Sequence, residues 1–127
     1  MLWYIAIGSA MGGVSRYLIG GFSQRMLAGT FPVGTLLVNV SGSFLIGLIL
    51  RYGLETSTLT PELRALLTIG FCGGYTTFST FSYETLALAE GGEWSRAALY
   101  IALSVGLSLG ATFLGFAAGQ LSERRHQ

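Results

Sequence analysis

The sequence predicts an all-α membrane protein with four transmembrane helices, the third of them broken. Three observations lead there. Charged residues make up 10% of the 127 and hydrophobic ones 51%, whereas a soluble domain carries about 25% charged residues. Apolar stretches recur at about 2–21, 32–50, 63–90 and 96–121, and a helix needs roughly 20 residues to cross the hydrocarbon. Inside the third stretch, Gly70–Glu84 reads GFCGGYTTFSTFSYE. The bilayer core has no water to satisfy hydroxyls or freed backbone, so such a run belongs where protein or a water-filled path surrounds it. An ionisable residue at that depth, here Glu84, is rare and usually functional.

Composition narrows the class further. The chain has no Lys and no Asp, and its net charge is +1. That leaves no basic stripe for nucleic acid. The length fits one membrane domain over 1–127. Cys72 is the only cysteine, so no intrachain disulfide is available, and its place between Phe71 and Gly73 reads as packing. His126 has no partner for a metal site.

Each span has its own start and stop. Met1–Phe22 lacks a basic n-region and outruns an h-region, so it reads as the first span rather than a cleaved leader. Arg25 and Gly29 mark a short loop, Thr30 and Pro32 open the second span, and Arg51 closes it. The loop Tyr52–Leu59 carries Glu55, Thr56, Ser57 and Thr58. Thr60-Pro61-Glu62 is a helix start: a capping hydroxyl, Pro at the first helical position, and an acid near the positive dipole end. The glycines predict an interruption near Gly73–Thr76, and Gly91-Gly92 stops the third span. The fourth runs from about Arg96 to Leu121, ahead of a polar tail SERRHQ. No internal repeat stands out.

Spacing shows which faces avoid lipid. Gly8, Gly12, Arg16 and Gly20 share one stripe of the first span, and Thr35, Asn39, Ser43 and Gly47 share one of the second. Ser104, Ser108, Thr112, Gly115 and Gly119 follow the helical period in the fourth. Small residues so spaced let backbones approach. Asn39 needs partners at mid-membrane, either across a helix interface or in a pore. Arg16 either snorkels to a headgroup or lies buried on the glycine face, where a positive charge near a pore favours anions.

Four spans put Arg51, Arg64, Arg124 and Arg125 on one side and Arg25 and Arg96 on the other, with Arg16 if it flanks. That bias is weak for a rule that normally fixes orientation. Four short spans do not easily enclose a pore alone. Together these points suggest an antiparallel, dual-topology homodimer.

The run Gly70–Glu84, with its double glycine and TTFSTF core, resembles the signature of the Fluc (CrcB) fluoride-channel family. Gly12–Tyr17 with Arg16, the stretch Gly34–Asn39, and a fourth span carrying Tyr100, Ser108 and Thr112 fit the same family in order. The resemblance covers nearly the whole chain. It implies a passive channel, not an enzyme, that exports cytoplasmic fluoride across the bacterial plasma (inner) membrane. The assembly implied is a multi-pass antiparallel homodimer in lipid, with two pores. Fluoride is expected to pass Asn39, Phe78 and Phe81. Ser79, Thr80, Ser108 and Thr112 correspond to a polar track, Tyr100 to a pore-lining tyrosine, and Glu84 to an acid beside the path. A structural sodium ion on the dimer axis would be held by the backbone carbonyls of Gly73 and Thr76.

The chemistry is compatible. Fluoride is small and strongly hydrated, so a pore must replace water with donors. Asn39 offers two N–H groups and each Ser or Thr one O–H. Aromatic rings have positive edges, so Phe78 and Phe81 either face an anion edge-on or simply pack. They share a face if the segment is helical beyond the break. A broken helix frees carbonyls suited to a hard cation. Glu84 is either ionised, protonated, or an acceptor from a hydroxyl on its own face. Two other readings exist. A small proton-coupled multidrug exporter needs an acid in its first span, and Met1–Phe22 has none. A non-transporting membrane scaffold would use the polar residues only to join helices.

Overall fold

A computed structural model describes residues 1–27, 29–55 and 59–125 of the chain. The expectations for His126 and for the hydroxyls of the Tyr52–Leu59 loop lie outside the described residues. Every regular element among those described is helical: α1 (Leu2–Met26), α2 (Val33–Glu55), α3 (Pro61–Ala65), a π-helical stretch (Leu66–Cys72), α4 (Gly73–Tyr75), α5 (Phe78–Glu90) and α6 (Trp94–Arg124). The stretches Val33–Gly53 and Trp94–Ser122 are long and apolar enough to cross a membrane. α1 has 25 residues, but its glycines, serines and Arg16 dilute its apolar character. The path from Pro61 to Glu90 is divided among several short elements.

Local chemistry sets the ends. Thr60 accepts a hydrogen bond from the Leu63 amide at 3.1 Å and caps α3 ahead of Pro61. Gly91 and Gly92 end α5, and Gly92 turns the chain at φ 80°, where other residues are strained. The α1–α2 loop is held by Gln24. Its Nε2 donates to the carbonyls of Phe31 (3.0 Å) and Gly29 (3.2 Å), and its Oε1 accepts from the Gly34 amide at 2.9 Å.

The helices pack through glycine. A Cβ on Gly8 would sit 2.2 Å from the Leu66 carbonyl oxygen, and one on Gly12 2.2 Å from that of Phe71. α1 therefore lies backbone against backbone on the π-helical stretch, and the two run in the same direction. α2 and α6 are also parallel: a Cβ on Gly47 would lie 2.3 Å from the Thr112 oxygen, and one on Gly115 2.1 Å from that of Phe44. α2 runs against the third segment, with Thr35 facing Glu84 and Asn39 facing Thr77. The outcome is an up-down-up-down arrangement of four helical columns.

The interruption falls at the C-terminal edge of the expected Gly73–Thr76 stretch, at Thr76 and Thr77 rather than at the glycines. Gly73 and Gly74 are helical. The extended residues are Thr76 (φ −85°, ψ 157°) and Thr77 (φ −149°, ψ 116°). Gly74 serves contact instead, since a Cβ there would lie 2.6 Å from the Ser9 oxygen. A glycine that admits a neighbouring backbone and one that breaks a helix look alike in sequence.

The interior is small. Phe81, Leu88, Ala97 and Tyr100 form one buried cluster, with Phe31 and Leu36 packed against it. Large apolar side chains face outward all round, among them Trp3, Tyr17, Phe78 and Phe113. Such a surface calls for lipid or another protein rather than water.

Candidate functional site

Asn39 and Thr77 form the centre of the site. The Asn39 Nδ2 donates to the Thr77 carbonyl at 3.1 Å, and the Thr77 amide donates to Asn39 Oδ1 at 2.8 Å. A carboxamide can pair with the N–H and C=O of one residue in this way only where the backbone has left the helix. The Thr77 amide is thereby turned away from the Gly73 carbonyl, its usual helical acceptor. Thr77 also starts the next helix: its Oγ1 accepts from the Thr80 amide at 3.2 Å and donates to Thr80 Oγ1 at 3.0 Å. On the other side of the break, Arg16 Nε donates to the Gly74 carbonyl at 3.1 Å. A cation there suits the negative end of a helix.

Two cavities flank this junction. The first, of about 560 Å³, is lined by Arg16, Gln24, Thr35, Thr77, Thr80 and Glu84 among others. Glu84 accepts a hydrogen bond from Thr35 Oγ1 at 2.5 Å. The donor is on α2, not on the acid's own face. The second cavity, of about 350 Å³, is lined by Asn39, Ser43, Phe78, Phe81, Ser104 and Ser108, with Thr76 and Thr77 at its edge. No charged side chain lines it. The rings of Phe78 and Phe81 lie 5.5 Å apart between centroids. Phe81 is buried, whereas Phe78 is 79% exposed.

The other expected residues separate. Tyr100 is fully buried behind Phe81, with centroids 5.1 Å apart. Ser108 faces the second cavity. Thr112 donates to the carbonyls of Ser43 (3.0 Å) and Ser108 (3.2 Å) and joins α6 to α2. Ser79 is exposed, 3.4 Å from Thr77 Oγ1. Gly73 is exposed and Thr76 half-buried.

Sequence reasoning put Ser104 on an inward row and Thr77 in the hydroxyl run but assigned neither to the site. A threonine three residues before Thr80 reads as a helix cap once the break is placed at 76–77. Ser104 lies in the same periodic row as Ser108. Its hydroxyl is buried with no hydrogen-bond partner among the described residues.

The regular elements among the described residues are all helical, with apolar outer faces and polar side chains gathered at a helix interruption, which fits a membrane protein. Residues 3–116 match the family described as CrcB-like protein, Camphor Resistance (CrcB). The chain is 51% identical over 116 residues to a protein named fluoride-specific ion channel FluC from Geobacter sulfurreducens, covering 91% of this chain and 94% of that one. It is 51% identical over 111 residues to the one from Geobacter metallireducens (87% and 90% covered). It is 48% identical over 114 residues to the one from Shewanella sp. strain ANA-3 (90% and 91%). The chain therefore belongs to the CrcB family, and these relatives are named as ion channels rather than enzymes.

Proposed function

We propose that the chain is a fluoride-specific ion channel that lets cytoplasmic fluoride leave passively. The observation that carries this reading is the second cavity, where amide and hydroxyl donors and two aromatic rings converge without a charged side chain. Donors of that kind replace the water of a small anion, and ring edges add positive potential. An unpaired fixed charge would trap the ion or repel it. The names of the relatives point to the same ion.

The wider assembly in this reading is a multi-pass protein of the bacterial inner membrane. It has four membrane-crossing columns with the third broken, paired as an antiparallel homodimer with two pores. The exposed Phe78 ring and the apolar outer faces support a second copy at the site. Asn39, Ser79, Thr80 and Ser108 supply donors along the path, and Thr112 braces its wall by tying α6 to α2, with Tyr100 and Glu84 beside it and Arg16 raising the potential of the first cavity. A structural sodium ion fits the break. The Gly73 carbonyl has lost its helical donor to Asn39, and Gly73 and Thr76 carry no competing charge. Neutral carbonyls suit a monovalent hard cation, which would hold the two copies at the axis.

Purified protein in liposomes, offered fluoride, chloride and a cationic dye, tests this. Fluoride should leave fastest and the dye should stay. Dye export driven by protons would favour a multidrug exporter, and no flux at all a scaffold.

A further inference from the structure

The rings at the second cavity belong to a longer series. Phe78 meets Phe81, and Phe81 meets Tyr100 with planes tilted by 54°. Tyr100 meets Phe31 edge-on, with centroids 5.5 Å apart and planes at 79°. The series thus runs from the α1–α2 loop to the cavity wall. Tyr100 is fully buried, with its hydroxyl beside Thr35 and Glu84. Its ring is packed between Phe31 and Phe81. Phe31 lies outside the helices, yet its backbone is held by the Gln24 amide at 3.0 Å, within the clamp that also fixes Gly29 and Gly34.

An aromatic ring attracts an anion by its edge and repels it by its face. The tilt of Phe81 therefore decides what the cavity presents. We infer that Phe31, anchored by Gln24, is a positioning residue for ion passage, holding Tyr100 and through it the orientation of Phe81. Neither residue lines the second cavity. The inference rests on the channel reading.

The test is fluoride efflux from liposomes for the wild type, Phe31→Leu, Phe31→Tyr, Phe81→Ile and the double variant Phe31→Leu/Phe81→Ile. Phe31→Leu keeps apolar bulk and should lower flux roughly three- to tenfold, the scale of an edge-on ring pair. Phe31→Tyr keeps the ring and should retain flux. In the Phe81→Ile background Phe31→Leu should change nothing further, because its effect acts through Phe81. A merely structural role would instead give additive losses, and that result, or normal flux in Phe31→Leu, overturns the inference. Gln24→Leu, which keeps every aromatic residue but removes the anchor of Phe31, repeats the comparison if Phe31→Leu does not fold. Wild-type liposomes that pass no fluoride defeat the channel reading itself. Wild-type flux with an unaffected Phe31→Leu defeats only the positioning role.

Discussion

At the scale of single residues, Asn39 does two things with one carboxamide. It satisfies both backbone polar groups of Thr77, its N–H and its C=O, and it faces the second cavity. Its carbonyl oxygen and one N–H direction are committed, so a single N–H remains for an ion. Asn39→Asp loses the donor to the Thr77 carbonyl and brings negative charge to the cavity. An unsatisfied buried acceptor costs about 1–3 kcal/mol, and 1.4 kcal/mol on a conduction barrier is about tenfold in rate. Fluoride flux should fall by at least that much in Asn39→Asp, with the protein still eluting as a folded species on size exclusion. Phe78→Ile and Phe81→Ile keep bulk but remove polarised edges, so each should lower flux in the same liposome assay. Normal flux in all three variants would mean these residues only pack. Sequence spacing put Asn39 on an inward stripe but left a helix interface and a pore open. Its amide proves to be shared between a backbone partner and a cavity wall. Glu84 is similar: the sequence offered hydroxyls on its own face, and the structure supplies Thr35 from α2. A partner on another helix is a matter of tertiary register, which no local pattern encodes.

At the scale of elements, glycine stripes decide how the columns meet. Gly8 and Gly12 face carbonyl oxygens at distances no Cβ tolerates, while Gly13, one position on, has nothing within 4 Å. Gly8→Ala or Gly12→Ala should destabilise the fold by about 1–3 kcal/mol through overpacking, read as a lower unfolding temperature in detergent. Gly13→Ala should be neutral or slightly stabilising, since Ala favours helix by up to about 1 kcal/mol. Equal effects at all three positions would contradict the packing account. The stripes were legible because period and residue size carry the information. The position of the break was legible only to within a few residues. Gly73-Gly74 looked like the weak point, but Gly74 is spent on contact with α1, and the extended residues are Thr76 and Thr77. What stabilises the break there is the Asn39 side chain, 38 residues distant in sequence. The π-helical stretch Leu66–Cys72 likewise has no signature in local composition, because its widened turn accommodates the backbone of α1.

At the scale of the whole molecule, the chain leaves much of its apolar surface uncovered and its second cavity bordered by the exposed Phe78 ring. Pairing with a second copy in the opposite orientation, as proposed, places both chain ends on both sides of the membrane. Single cysteines introduced near each terminus should therefore react with an impermeant reagent from either side in comparable amounts. Labelling from one side only would contradict dual topology. The membrane character was legible from composition, since so few charges cannot clothe a soluble domain, and the helices from the length of the apolar stretches. The antiparallel pairing is an expectation from arginine bias and the shortness of the spans, and it is the labelling experiment that tests it. The central claim is passive fluoride conduction, and the measurement that tests it most directly is the reversal potential of purified protein in a planar bilayer under a fluoride gradient. With no pH gradient, current should reverse at the equilibrium potential for fluoride and stay there when a proton gradient is added. Current that vanishes without a proton gradient, or a reversal potential that follows chloride, would contradict it.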